Sequence, residues 1–203
     1  DFARLAPEKG LFPLVEGALE LNRRRQDFRL VAGGYAPPQF RAYFEQAKWK
    51  ALPLGNRFHY AGSPASLAEK VALIKTFDVL SVPTPYREPK GLYVLEAWAN
   101  GVAVVQPRHG HFAELVEEGG GGICVDPDDP VALADGLERL LDDDDLRLQM
   151  GQRGWERVRQ QHDLPALAAQ SEKLLEHLLA SRRPHAAYID RQDVPVPARN
   201  AGE

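Results

Sequence analysis

The stretch Glu88-Pro89-Lys90-Gly91-Leu92-Tyr93-Val94-Leu95-Glu96 carries the strongest structural signal in this chain. It follows an apolar run over 79–83 and opens onto helix-forming residues over 92–100, which predicts a strand, a loop and a helix N-terminus. Backbone N–H groups near Gly91 and Leu92 would lack intrahelical partners and form an anion site. The carboxylate at each end suits a ligand with hydroxyl groups as well as phosphate, because ionised carboxylates accept hydrogen bonds from hydroxyls.

Strand-like and helix-like segments alternate on both sides of this stretch. Apolar, strand-like segments occupy 28–32, 57–60, 78–82, 102–105 and 123–125, and amphipathic helical patterns cover 11–19 and 133–141. This alternation predicts an α/β fold, a doubly wound, Rossmann-like parallel sheet with helices on both faces. Ligands of such sheets bind outside the carboxyl ends of the strands.

Composition narrows the class of protein. The 203 residues are 44% hydrophobic and carry a net charge of −4, which is typical of a soluble globular protein and argues against nucleic acid as a partner. No apolar run is long enough to span a bilayer. The single cysteine, Cys124, lies in an apolar segment and is expected to be a buried hydrophobe rather than a nucleophile. A chain without internal disulfides fits a cytoplasmic location.

The pattern predicts one folded domain over residues 1–180. One long helical region is expected from 147 to about 180, and a disordered tail over 181–203, where apolar periodicity ends. The opening residues 1–4 resemble the tail of a strand whose first residues are missing, so we expect a fragment of a larger protein. The acidic runs 126–129 and 142–145 are interpreted as helix caps rather than metal ligands.

A second candidate loop, Arg4-Leu5-Ala6-Pro7-Glu8-Lys9-Gly10, opens the chain. Its two cations stand between the end of a strand and the start of a helix. An arginine can hold a phosphate bidentately, and a lysine adds a flexible point charge. Together with the two glutamates, they predict a site for a nucleoside diphosphate that carries a sugar.

These motifs resemble the carboxyl-terminal domain of retaining GT-B glycosyltransferases of family four, also called group 1. The opening loop is similar to that family's G-R-L-x-P-E-K-G, and residues 78–96 are similar to its A-D-V-x-x-x-P-S-x-x-E-P-F-G-L-x-x-L-E segment. The resemblance continues through 100–105 and reaches to about Glu176. It implies the carboxyl-terminal half of a GT-B fold with its first strand truncated.

The resemblance also implies a role for each motif residue. Arg4, Lys9 and Glu88 would be the catalytic residues: the cations would hold the diphosphate, and Glu88 would face the donor sugar. The remaining donor-binding residues would be Lys90, Gly91, Leu92, Glu96, Gly110 and His111, with Glu96 on the ribose and residues 58–63 near the base. The diphosphate would leave, and the acceptor would attack the same face with retention. No protein nucleophile, cofactor or metal is expected.

Five positions depart from the family's pattern: Thr84, Lys90, Trp98, Asn100 and His111. Lys90 replaces the usual phenylalanine and adds a cation beside the sugar. His111 replaces the second glycine of a Gly-Gly-x-x-Glu loop, and its Cβ restricts the backbone there. Trp98 replaces a smaller residue on the helix.

The expected partners are a nucleotide sugar, a sugar, lipid or other hydroxyl acceptor, and a missing amino-terminal domain of the same polypeptide. That domain would supply most acceptor contacts and any peripheral membrane contact, so this chain alone is expected to bind donor without turnover. Other functions stay open: the chain could belong to a sugar phosphorylase, a nucleotide-sugar epimerase, or a non-catalytic nucleotide-sugar-binding module. A dinucleotide-binding domain is disfavoured, because no Gly-x-Gly-x-x-Gly follows a strand.

Overall fold

A computed structural model describes residues 1–181, and only Ser181 of the predicted tail over 181–203 lies within that range. The strands are β1 (Leu30–Ala32), β2 (Phe58–Tyr60), β3 (Val79–Leu80), β4 (Ala103–Pro107) and β5 (Gly122–Val125). The α-helices are α1 (Leu11–Asn22), α2 (Arg41–Lys50), α3 (Leu67–Ile74), α4 (Leu92–Ala99), α5 (Phe112–Gly119), α6 (Pro130–Asp142), α7 (Asp144–Gln161) and α8 (Leu164–Ala180). Short 3-10 turns cover Pro7–Lys9, Pro38–Phe40 and Leu52–Arg57.

The strands are parallel, as the sequence predicts, but they form two sheets. One sheet pairs β1 with β2, and the other has the order β3-β4-β5. The first residues extend the smaller sheet: the Gly33 amide donates to the Asp1 carbonyl at 3.0 Å, and the Ala3 amide donates to the Gly33 carbonyl at 3.1 Å. A cavity of about 630 Å³, lined by Asp1, Val31 and Val79 among others, lies between β1 and β3. These two strands therefore face each other across the cavity.

Helices cover both faces of the larger sheet. Successive side chains of β4 point to opposite faces, as in any strand. Ala103 and Val105 pack into one hydrophobic cluster, which contains Leu11 of α1 and Leu133 of α6. Val104 packs into a second cluster, formed mainly by α4 and α5. This alternation confirms the doubly wound arrangement.

The carboxyl-terminal helical region is divided. The sequence predicted one long helical region over 147–180, whereas α7 ends at Gln161 and α8 begins at Leu164. Pro165 is the reason, because proline is tolerated in the first turn of a helix and disrupts a helix interior. Residues 1–163 form one compact unit, and α8 belongs to a second unit. Five leucines of α8 are more than half exposed: Leu164, Leu174, Leu175, Leu178 and Leu179.

The acidic runs act as helix caps, as predicted. The Asp129 carboxylate accepts the Val131 amide at 2.8 Å at the start of α6. The Asp143 carboxylate accepts the Leu146 amide at 2.8 Å at the start of α7. Both contacts satisfy N–H groups that the first turn of a helix leaves without intrahelical partners.

Trp98, an unusual residue for this helix, fits a slot between glycines. Its side chain is fully buried, and its indole N–H donates to the Gly121 carbonyl at 2.9 Å. A Cβ at Gly119 would lie 2.6 Å from the indole, and a Cβ at Gly154 would lie 2.5 Å from it. The large side chain on α4 therefore depends on residues of α5 and α7 that have none.

Candidate functional site

Two glycines bring three loops together at the carboxyl ends of the strands. Gly10 has φ +76°, and a Cβ there would collide with the Pro83 carbonyl. Gly110 has φ +57°, and a Cβ there would lie 2.7 Å from the backbone nitrogen of Glu88. Only glycine fits both the positive φ and the close approach. The opening loop and the β4–α5 loop consequently lie directly against the loop that carries Glu88.

Glu88 is the centre of the site. It is 6% exposed, and its Oε2 accepts hydrogen bonds from the Lys9 ammonium at 2.8 Å, the Tyr86 hydroxyl at 2.6 Å and the Tyr93 hydroxyl at 3.3 Å. Its Oε1 accepts the amides of Lys90 at 3.3 Å and Gly91 at 3.4 Å. Five donors therefore converge on one carboxylate.

These contacts hold Glu88 in its charged form. Burial by itself would raise the pKa of Glu88, but hydrogen bonds from Lys9 and Tyr86 and the charge of Lys9 outweigh it and lower that pKa to about 2. Burial lowers the pKa of Lys9, and the bonds to Glu88 and Tyr86 more than offset this, so the pKa is raised. At neutral pH the site therefore holds an ion pair.

The backbone amides at the start of α4 donate to a carboxylate of the same chain. The sequence predicted that the amides near Gly91 would be left for a ligand; in the structure, the Glu88 carboxylate accepts those of Lys90 and Gly91. Gly91, with φ 64°, provides the left-handed turn that aims the loop at α4. A phosphate that enters here must replace Glu88 as the partner of these donors.

A cavity of about 560 Å³ opens beside this cluster. Its walls include Arg4, Lys9, Leu92, Glu96 and Lys70. Glu96 lies one turn inside α4 and accepts a hydrogen bond from the Lys70 ammonium of α3 at 2.6 Å. Arg4 pairs with Glu8, and about half of its side chain is exposed. The cavity thus presents three cations and a carboxylate, together with the aliphatic surface of Leu92.

Gly110 and His111 lie beside the cluster and, like Glu88, Lys90 and Gly91, do not line the cavity. The Gly110 backbone packs on Glu88, and the His111 amide donates to the Glu88 carbonyl at 2.9 Å. The His111 imidazole lies 3.5 Å from Glu114 on its own helix. Both residues position the loop of Glu88, and donor contacts for them stay a prediction. Of the predicted base region 58–63, Ser63 lines the cavity, whereas Tyr60 packs edge-to-face against Phe44 with 4.8 Å between ring centroids.

Three site residues were not anticipated from the sequence. Tyr93 stands inside the nine-residue stretch between the glutamates, so its place on α4 was available as a signal. Tyr86 stands two residues before its partner Glu88, so that contact was also available as a local signal, whereas its contact with the distant Lys9 was not. Lys70, on a separate helix, had no local signal, because its partner Glu96 is distant in sequence.

The described part of the chain contains neither a metal-binding cluster nor a membrane-spanning helix. Within residues 1–181, no group of three or more His, Cys, Asp or Glu side chains is arranged to hold a metal ion. None of the helices in this range combines the length and the apolar character needed to cross a membrane. Cys124 is half-buried, and burial raises the pKa of its thiol.

The motifs that form this site are those of a known family. Residues 2–157 match the family described as glycosyl transferases group 1. The chain belongs to this family. D-inositol 3-phosphate glycosyltransferase of Corynebacterium efficiens is 38% identical over 161 residues, which are 77% of this chain and 37% of that protein. Alpha-D-kanosaminyltransferase of Streptomyces kanamyceticus is 32% identical over 149 residues, 73% of this chain and 37% of that protein.

Solved structures agree on the fold. HepE of Anabaena in complex with UDP superposes with a TM-score of 0.77 at 24% identity and covers 87% of this chain and 47% of its own. The C-terminal domain of the group 1 protein LpcC of Francisella tularensis superposes with a TM-score of 0.72 at 24% identity, covering 80% of this chain and 85% of its own. This group 1 chain therefore has the fold of the carboxyl-terminal, Rossmann-like half of GT-B glycosyltransferases. It spans less than half the length of the two curated relatives described above.

Proposed function

We propose that this chain is the donor-binding half of a retaining glycosyltransferase and binds a nucleoside-diphosphate sugar in the cavity beside Glu88. The observation that carries the proposal is the convergence of Lys9, Arg4 and the start of α4 on one cavity that also contains Glu96. Cations and a helix N-terminus complement a diphosphate. The Glu96 carboxylate complements ribose hydroxyls.

The proposed chemistry uses the charges of the site. When the bond between the sugar and the diphosphate breaks, negative charge builds on the leaving diphosphate, and Lys9 and Arg4 stabilise it. The incoming phosphate competes with Glu88 for the Lys90 and Gly91 amides and accepts the third N–H of Lys9, which Glu88 and Tyr86 leave unused. Glu88 then becomes available to accept hydrogen bonds from the donor sugar. Retention at the anomeric carbon follows from the resemblance to the retaining family.

The acceptor hydroxyl would be bound by a second domain, so this chain alone would bind donor without turnover. UDP is the first nucleotide to test, because HepE was solved with it. The names of several relatives give D-inositol 3-phosphate as the molecule that is glycosylated. A phosphorylated polyol is therefore a reasonable first acceptor for a polypeptide that contains this chain and an acceptor domain.

Calorimetry and thermal unfolding with UDP, GDP, ADP and their glucose conjugates test the proposal directly. A ligand that binds only the native chain stabilises it by roughly 2.7 kcal/mol when present at about 100 times its Kd. We expect one nucleoside diphosphate to raise the unfolding temperature more than the others. Stabilisation by inorganic phosphate alone would favour a phosphorylase, and a chain that binds none of these nucleotides would contradict the proposal.

Two glutamate variants test the orientation of the donor. Glu96→Gln should weaken UDP and UDP-glucose alike, because both carry the ribose. Glu88→Gln should affect UDP-glucose more than UDP, because the proposed partner of Glu88 is the sugar. Equal losses for both ligands in both variants would show that this orientation is wrong, even if the nucleotide binds.

A further inference from the structure

Lys9 is held by three contacts from one small cluster. Its ammonium donates to Glu88 at 2.8 Å and to the Tyr86 hydroxyl at 3.0 Å. It also lies 5.3 Å from the ring centroid of Tyr93. Such an aromatic face attracts a cation. A flexible side chain in the opening loop is therefore fixed by residues from a loop and a helix far along the sequence.

Tyr86 connects the two charged groups of this cluster. Its hydroxyl accepts from Lys9 and donates to the Glu88 carboxylate at 2.6 Å. Its backbone carbonyl accepts the hydroxyl of Thr84 at 3.0 Å, and Thr84 is buried. The tyrosine is thus anchored at its backbone, and its hydroxyl lies between the cation and the anion.

We infer that Tyr86 is a positioning residue whose hydroxyl fixes the Lys9 ammonium for a diphosphate in the adjoining cavity. A lysine ammonium has three N–H donors. Glu88 and Tyr86 take two of them, which leaves one for an anion in the cavity that Lys9 lines. A free lysine side chain has considerable rotamer entropy, so ordering it before the ligand arrives favours binding. The inference rests on the proposed function, since it names a residue that prepares the proposed donor site.

A double-mutant cycle with Tyr86→Phe and Lys9→Ala tests whether the hydroxyl acts through Lys9. Phenylalanine keeps the ring and removes only the hydroxyl. We expect Tyr86→Phe to weaken UDP roughly 3- to 10-fold, the range of one hydrogen bond, and to leave uridine binding unchanged. In the Lys9→Ala background the same change should cause no further loss, because the group that it positions is gone.

Tyr43→Phe is the matched control. The Tyr43 hydroxyl accepts the Phe12 amide at 3.2 Å in the contact between α2 and α1, so this variant removes a partly buried hydroxyl at a place away from Lys9. It should lower stability and leave UDP affinity unchanged. A loss of UDP affinity shared by both variants would assign the Tyr86 effect to general loosening and overturn the inference.

Nitrogen-15 NMR of the Lys9 ammonium provides a readout without ligand. We expect its mobility and its rate of hydrogen exchange with water to increase in Tyr86→Phe and to stay unchanged in Tyr43→Phe. Unchanged mobility in Tyr86→Phe would overturn the inference, as would an equal loss of UDP affinity in the presence and absence of Lys9. If the wild-type chain binds no nucleoside diphosphate, the proposed function fails, and the NMR comparison still decides whether Tyr86 orders Lys9.

Discussion

The two ends of α4 contact the rest of the chain through different interactions. At its N-terminus, five hydrogen-bond donors surround the Glu88 carboxylate, and Lys9 crosses from another loop to pair with it. Near its C-terminus, Trp98 is fully buried between glycines and makes one hydrogen bond. The first arrangement depends on charge, and the second depends on shape.

This difference separates binding from stability. Charged groups can exchange one partner for another, so a ligand phosphate can take the donors that Glu88 holds. A close-packed indole has no such alternative, because protein interiors contain few voids into which it could move. We therefore expect variants at the Trp98 end to change the free energy of unfolding, and variants at the Glu88 end to change mainly binding and pH dependence.

Trp98→Ala should produce the largest change in stability. Removing a large buried aromatic side chain costs about 3–5 kcal/mol, because it loses apolar burial and leaves a cavity. Urea unfolding at neutral pH measures this loss, and UDP calorimetry on the folded variant should give an unchanged Kd. Trp98→Phe, with a smaller loss, serves if the alanine variant does not fold. A loss of UDP affinity in a folded Trp98 variant would show that the Trp98 end of α4 contributes to binding as well as to stability.

Gly154→Ala should cause the next largest loss of stability. Gly154 forms part of the slot that holds the Trp98 indole. The new methyl group would lie 2.5 Å from the indole of Trp98, and such overpacking typically costs about 1–3 kcal/mol. Gln152→Ala, at an exposed position of the same helix, is the control for a change to alanine on α7. Equal unfolding midpoints for the two variants would show that the slot tolerates the methyl group.

Glu88→Gln should have a smaller effect that depends on pH. The folded pKa of Glu88, about 2, lies below the ordinary value of 4.5, so its ion pair stabilises the fold above pH 4.5 and that stabilisation is lost as the pH falls toward 2. At neutral pH we expect the variant to be roughly 1–2 kcal/mol less stable, after allowance for solvent screening of a pair at the edge of a cavity. The measurement is the difference in unfolding free energy between wild type and variant from pH 7 to pH 3, which should shrink at the acid end.

The surface pair of Glu20 and Arg23 supplies the control for that measurement. Glu20→Gln should change stability by less than about 0.5 kcal/mol, since exposed pairs contribute little. A difference between wild type and Glu88→Gln that is constant from pH 7 to pH 3 would mean that Glu88 is not held in its charged form by Lys9.

Local patterns predicted the five strands and the helices α1, α4 and α6, but they gave no bounds for α2, α3 and α5 and could not predict long-range contacts. The start of α4 beside Gly91 and the caps Asp129 and Asp143 were predictable, because each involves residues within a few positions of one another. The break between α7 and α8 was missed, because leucines recur on both sides of it and the weight of Pro165 was overlooked. The partner of Trp98 was also missed, since Gly154 lies on a helix that meets α4 only in the folded chain.

The sequence by itself determined the family, the parallel α/β architecture, and the choice of Glu88, Glu96, Arg4 and Lys9 as site candidates. Residue order and spacing suffice for this, because a strand, a turn and a helix start are defined by neighbouring residues. Only the tertiary structure placed Tyr86 between Lys9 and Glu88, and Lys70 on Glu96. Those contacts depend on how closely separate loops and helices approach, and at Gly10 and Gly110 that approach is set by the absence of a side chain.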